Sequence, residues 1–289
     1  MTKGLSLTRW SRVDGSTETA RLINQTLARR DGPIVPLIAE TGGQNAMVVD
    51  STALLEQVTD DVIQSAFLSA GQRCSALRVL FVQEEIADRL IEMIAGAMDE
   101  LFVGNPARLR TDVGPVISED AAEKLEAHIA EMRRNGQLLH RARLSAECEF
   151  GHYVAPAMVK ISNLNELTEE HFGPILHVVR FTHEAIDVVL QQIHASGYGL
   201  TMGVHSRIET HADMMARTAR VGNIYINRNM IGAVVGSQPF GGQGLSGTGP
   251  KAGGPHYLFR FASEKVVSTN TAATGGNAEL LLLGDTDDA

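Results

Sequence analysis

The sequence predicts an α/β fold organised around a mostly parallel sheet. Short β-branched runs of strand length alternate with amphipathic segments for most of the chain. Those amphipathic segments are roughly 10–17 residues long, the span of a crossover helix between parallel strands. Gly, Pro and Asn punctuate the joins. At 289 residues the chain has ample material for a buried core, in one large domain or two smaller ones.

The elements follow in order. Residues 17–30 read as a helix, with Ala20, Ile23 and Leu27 on one face. Residues 34–38 form an apolar run of strand length that leads into Glu40, and residues 46–49 form a second strand. Residues 54–69 are helical, with Leu55, Val58, Val62, Ala66 and Ser69 near a 3.6-residue period. Residues 77–82 read as a buried strand, and residues 84–101 as a long helix in which Ile86, Leu90, Ile94 and Met98 recur every fourth position. Gly104-Asn105-Pro106 follows it as a stop. Residues 121–135 form a helix closed by Asn135-Gly136. Strands at 175–181, 200–204 and 223–227 then alternate with helices at 184–196 and 208–221.

The last third differs. Residues 232–254 hold 9 glycines in 23 positions, too many for regular structure. Tandem glycines permit positive φ and close approach of backbone to a ligand, so an ordered loop is expected, with a flexible linker as the alternative. Residues 257–267 alternate enough to read as a strand. The tail beyond Thr269, acidic at Asp285-Thr286-Asp287-Asp288, is expected to be poorly ordered.

Composition narrows the function. The net charge of -9 is unfavourable for a nucleic-acid or anionic-membrane surface. No apolar run approaches the ~18 residues of a membrane helix; Leu280-Leu281-Leu282-Leu283 is the best. The basic N-terminus lacks an apolar stretch behind it, which argues against a secretory signal. Two cysteines, Cys74 and Cys148, form no disulfide framework and fit a reducing compartment, so a cytoplasmic protein is expected. The ten histidines show no metal-ligand spacing and no CxxC exists, so no metal site is expected.

Two residues stand out for chemistry. Cys74 lies in a loop with Gly71 and Arg73, between a helix and a strand. A thiolate there can act as a nucleophile, although a lone cysteine also serves as a small buried hydrophobe. Cys148, between Glu147 and Glu149, is given no role. Glu40 sits at a strand end before Gly42-Gly43, where ligands bind in open α/β sheets and a carboxylate can serve as a general base. A solvated or capping glutamate is the alternative. Gly15-Ser16-Thr17 opens a helix and can hold a phosphate, or Ser16 can simply cap it. In the turn Glu170-His171-Phe172-Gly173-Pro174 the glutamate can accept ribose hydroxyls while the phenylalanine packs against a flat ring.

The order and spacing of these runs resemble the aldehyde dehydrogenase superfamily from about Asp14 to Lys265. The matching segments are Gly15-Ser16-Thr17, Glu40-Thr41-Gly42-Gly43-Gln44, Gly71-Gln72-Arg73-Cys74, Val103-Gly104-Asn105-Pro106, Thr111-Asp112-Val113-Gly114-Pro115, Glu170-His171-Phe172-Gly173-Pro174 and Pro239-Phe240-Gly241-Gly242. The branch most similar is the L-glutamate γ-semialdehyde (1-pyrroline-5-carboxylate) dehydrogenase module of bifunctional proline-utilisation flavoenzymes. Ala39 to Met47, Gln72 to Val79 and Gly241 to Pro255 carry that likeness.

The resemblance implies a three-layer αβα fold: a remnant of an NAD-binding domain at 1–41, a catalytic domain at 42–240, and a glycine-rich loop, oligomerisation strand and tail at 241–289. It implies a small aldehyde substrate, NAD as cofactor, and a homo-oligomer through the C-terminal strand. Cys74 is then the nucleophile and Glu40 the water-activating base. Ser16 contacts the pyrophosphate, Glu170 anchors the ribose, and Phe172 lies beside the nicotinamide end. Ser75, Gly232 and Ala233 hold the substrate carboxylate, the alternative being that the Gly232 loop merely shapes the pocket. Members of the family carry a long portion ahead of the Gly-Ser-Thr turn, whereas Met1 to Trp10 here matches none of it; the resemblance therefore implies an N-terminally truncated chain. A non-catalytic remnant and a thiol-dependent esterase are the competing readings.

Overall fold

The computed structural model describes residues 11–262, 265–270 and 273. Trp10, the Leu280–Leu283 run and the acidic tail lie outside the described residues. The chain begins with a small βαβ unit. Strand β1 (Ser11–Asp14) leads into helix α1 (Thr17–Ala28), and β2 (Leu37–Glu40) returns parallel to β1, with Asp14 opposite Glu40. The apolar run expected to pair at 34–38 does so three residues later. Pro36 has no N–H to give a ladder, and Ile34 is left exposed. Glu40 is consequently the last residue of the strand itself.

The rest of the main unit is one seven-stranded sheet. Its elements are β3 (Ala46–Val49), α2 (Leu55–Phe67), β4 (Val79–Gln83), α3 (Glu84–Asp99), α4 (Glu119–Arg134), β5 (Leu138–Arg141), β6 (Ala157–Lys160), β7 (Ile175–Phe181) and α5 (Ile186–Ala195). After the two-residue β8 (Tyr198–Gly199) come β9 (Thr201–His205), α6 (Glu209–Thr218) and β10 (Asn223–Ile226). The strand order is β10-β9-β3-β4-β7-β6-β5, parallel throughout except for β5. Strands β5 and β6 escape sequence reading because each has four residues and mixes apolar with charged side chains.

The two-residue side-chain period of the strands divides the core into two layers. Met47, Val49, Leu80 and Val82 pack with Val58 and Val62 of α2, Leu90 and Ile94 of α3, and Leu125 and Ile129 of α4. Ala46, Val48, Val79 and Phe81 point the other way, against Val189 and Ile193 of α5 and Ala212 and Met215 of α6. The result is the expected αβα sandwich.

The glycine-rich segment is an ordered loop rather than a linker. Strand β11 (Gln243–Gly244) pairs antiparallel with β8, Gly247 bridges to Glu40, and Phe240 bridges to Ala252. The described residues divide into two units between Tyr257 and Leu258. In the second unit the strand expected at 257–267 is not formed among the described residues; Leu258–Phe261 is a short 3₁₀ turn. Leu258, Phe259, Val266 and Val267 are exposed. A strand requires a neighbour to take its N–H and C=O groups, and sequence alternation alone supplies none.

Candidate functional site

The run from Glu40 to Asn45 organises the site. Between the end of β2 and the start of β3, successive residues reach different parts of it. The Gly43 amide donates to Glu170 Oε2 at 3.1 Å. Gln44 Nε2 donates to the carbonyls of Leu167 (2.8 Å) and Glu169 (3.3 Å), which fixes the approach to Glu170. Asn45 Nδ2 donates to the Cys74 and Ala76 carbonyls at 2.7 and 2.9 Å, and its Oδ1 accepts from the Thr201 amide. A Cβ at Gly42 would lie 1.7 Å from Glu170 Oε2, so glycine here lets that carboxylate keep its place.

The cysteine loop is held under backbone strain. Ser69, Ala70 and Gly71 all take positive φ, at 57°, 52° and 64°. Such angles disfavour non-glycine residues and persist only where the surroundings impose them. Arg78 does so here. It is fully buried and donates to the Gly71 carbonyl (2.7 Å), the Gly173 carbonyl (3.2 Å) and the Arg73 carbonyl (3.2 Å). Its remaining donors form a fork on Glu170 Oε1 at 3.0 and 3.2 Å. One guanidinium thus joins the Cys74 loop to the 170–173 turn. Its role was not legible in the sequence, although the Gln72-to-Val79 run contains it.

These brackets bring Cys74, Glu40, Ser16, Glu170 and Phe172 to the wall of one cavity of about 580 Å³. Ser75, Gly232 and Ala233 do not line it. Ser75 is buried, with its carbonyl accepting from Thr201 Oγ1, while Gly232 is exposed at φ 73°. Ser16 caps α1, its Oγ accepting from the Thr19 amide at 3.1 Å, while the amino end of that helix opens on the cavity. The Leu245 carbonyl accepts from Thr17 and Thr41 hydroxyls, so the glycine-rich loop is stitched to both sides of the site.

The electrostatics favour neutral forms at rest. Glu40 Oε1 is buried without a hydrogen-bond partner. Burial pushes the Glu40 carboxyl up to about 7, and Asp14 adds to this, while the Gly242 amide and Arg12 oppose it. Cys74 is exposed enough to be reached, yet the protein around its thiol pushes the pKa up. The Glu170 and Glu40 carboxylates push the same way, against the Ser75 and Cys74 amides. Burial also raises Glu170, which Arg78 and the Gly43 amide partly offset. Phe172 is partly exposed, with the Arg78 guanidinium 5.1 Å from its ring centroid.

Comparison with known proteins places this geometry. The chain is 53% identical over 277 residues to the bifunctional protein PutA of Klebsiella aerogenes, a match covering 91% of this chain and 21% of that protein. It is 35% identical over 234 residues to the 1-pyrroline-5-carboxylate dehydrogenase of Geobacillus kaustophilus, covering 80% of this chain and 45% of the relative. Among solved structures, a bifunctional proline utilization A (PutA) protein aligns with a TM-score of 0.87 at 59% identity, over 92% of this chain and 27% of that one. A 1-pyrroline-5-carboxylate dehydrogenase structure aligns at TM-score 0.80 and 35% identity, over 88% and 49% respectively. The chain therefore spans about a fifth of the length of the curated PutA relatives. The model of the aldehyde dehydrogenase family matches residues 10–267, and to that family the chain belongs.

Proposed function

We propose that this site oxidises L-glutamate γ-semialdehyde, the open form of 1-pyrroline-5-carboxylate, to L-glutamate in proline breakdown. The supporting observation is the single cavity on which a reachable thiol (Cys74), a carboxylate poised near neutrality (Glu40) and the Glu170–Phe172 turn converge. Residues 1–41 are assigned to the nucleotide side, 42–240 to the catalytic part, and 241–289 to the glycine-rich loop and tail.

The Cys74 thiol, raised at rest, adds to the aldehyde. Its sulfur bonds to the carbonyl carbon as the carbon–oxygen π bond opens, and its proton passes to the carbonyl oxygen, which releases it to water when the hydride leaves. When bound, NAD supplies the hydride acceptor for the resulting thiohemiacetal. The features facing the cavity fit its charged and flat portions: the amino end of α1 with Ser16, the Glu170 carboxylate for ribose hydroxyls, and the Phe172 ring for the nicotinamide end. Glu40 in its carboxylate form then takes a proton from water, which attacks the Cys74 thioester. The carbon–sulfur bond breaks, the thiol is restored and L-glutamate leaves. Ser75 and the backbone at Gly232 and Ala233, which do not line this cavity, are assigned to the substrate's α-carboxylate on the resemblance alone, since amide and hydroxyl donors suit an anion.

The test is NADH formation from the semialdehyde, with Cys74→Ala as control. Turnover that Cys74→Ala abolishes is expected, rising with pH through about 7 as Glu40 ionises. Absence of NAD binding by titration overturns the proposal, as does full activity in Cys74→Ala.

A further inference from the structure

Three histidines from separate elements meet outside the catalytic cavity: His128 on α4, His171 before β7, and His177 on β7. Spacing along the chain gives no sign of this, because the fold assembles the group. One imidazole nitrogen from each lies within 4.8 Å of those of the other two. His128 Nε2 and His177 Nε2 face each other at 2.9 Å. The His128 and His171 rings stack with centroids 3.6 Å apart and planes 20° apart.

The hydrogen bonds assign the lone pairs. His177 Nδ1 lies 3.0 Å from the Arg78 carbonyl, which can only accept, so the proton is on Nδ1 and Nε2 carries a lone pair. The facing Nε2 of His128 must then be the donor. An imidazole whose Nδ1–H is fixed by a backbone carbonyl and whose Nε2 faces another imidazole has the orientation used by metal-ligating histidines.

We propose that His128, His171 and His177 form a site for one borderline divalent transition-metal ion of the zinc class, with water as the fourth ligand. Imidazole is the ligand such ions prefer, and three of them with an open position is a recurrent coordination set. A tetrahedral ion with bonds of about 2.0–2.1 Å holds its ligand nitrogens roughly 3.3 Å apart. The 2.9 Å pair therefore opens slightly, and His171 turns out of its stack on His128 so that its in-plane lone pair meets the same ion. His128 shifts its proton from Nε2 to Nδ1, so all three ligands bind as neutral imidazoles and no net proton is released. His177 is buried and His171 partly exposed, which gives the ion a dry side and an entry side. Glu131 and Glu169 supply negative potential nearby. Occupancy would fasten α4 and β7 to the turn that carries Glu170 and Phe172.

The experiment is titration of the metal-free chain with Zn²⁺ by calorimetry and with Co²⁺ by visible absorption, in a Cys74→Ser background so that the thiol does not compete. One ion per chain is expected, with the intense visible bands of tetrahedral Co²⁺. His171→Ala and His128→Gln are each expected to weaken binding at least about tenfold. Imidazole ¹H–¹⁵N spectra of the Cys74→Ser chain serve if either variant fails to fold: Zn²⁺ must shift three histidines together, His177 among them. The proposal is overturned by absence of stoichiometric binding, by affinity unchanged in both variants, or by shifts confined to other histidines.

Discussion

Replacing Glu40 by Gln removes one ionisable group from a half-buried position while keeping its shape. In the folded chain Glu40 titrates at about 7 rather than its ordinary 4.5, chiefly because burial penalises the carboxylate. The unfolded chain releases that proton from pH 4.5 upward, while the folded chain retains it until about 7. Stability contributed by neutral Glu40 is therefore fully present below pH 4.5, declines between 4.5 and 7, and is gone above 7. The full difference corresponds to roughly 3 kcal/mol, and solvent on the open side reduces it to about 1–2 kcal/mol. Gln carries no such penalty. Glu40→Gln is expected to match the parent at pH 4.5 and to exceed it by about 1–2 kcal/mol at pH 8, or roughly 2–5 °C in Tm. Thermal unfolding of both proteins from pH 4.5 to 9 reads this directly. Curves that stay parallel across the range refute the reasoning, and so does a variant that is less stable at pH 8. On the proposed mechanism, in which Glu40 activates water, the same substitution is expected to leave a thioester on Cys74, detectable by mass spectrometry.

Other positions give equally direct readouts. Arg78→Met strands Glu170 beside the cavity and is expected to cost about 3–5 kcal/mol in urea unfolding, with much of that recovered in the double variant Arg78→Met/Glu170→Gln. Asn45→Ala removes the donor to the Cys74 and Ala76 carbonyls and the acceptor of the Thr201 amide. A loss of about 2–4 kcal/mol is expected by the same assay. Gly71→Ala places a Cβ 2.3 Å from the Gly173 carbonyl oxygen at a φ of +64°, so destabilisation of at least about 2 kcal/mol is expected. Gly96→Ala is the opposite control. That glycine lies in α3 with nothing within 4 Å of the added carbon, and substitution is expected to stabilise by about 0.5–1 kcal/mol.

Long periodic segments were the most legible part of the chain. The helix at 84–101 and the strand at 175–181 need only apolar spacing to be seen, and the structure forms them at Glu84–Asp99 and Ile175–Phe181. Strand β2 slipped past its apparent run because Pro36 withholds a donor, a ladder effect invisible to apolar pattern. At the site, Cys74 and Glu40 declare themselves by residue type. Arg78 and Asn45 do not, because a buried arginine and a bridging amide acquire meaning only from the groups the fold brings to them, Glu170 and Gly173 for the one and Cys74, Ala76 and Thr201 for the other. The three histidines are hidden for the same reason. Their sequence positions share no local frame, and sheet topology alone brings them together.

The hexapeptide from Glu40 to Asn45 has one further consequence. Glu40 is one of its members, and Gly43, Gln44 and Asn45 hydrogen-bond the Glu170 turn and the Cys74 loop, so the relative placement of those three groups is measured from one short datum. Errors accumulated across the surrounding helices do not propagate into that measurement. A shift of one residue within 41–45, by insertion or deletion, would rotate every one of these contacts to the wrong partner at once. Much larger insertions in the surface connections around β5 leave the datum untouched. Tolerance to change in this molecule is thus set by distance from a six-residue ruler, not by distance from the thiol.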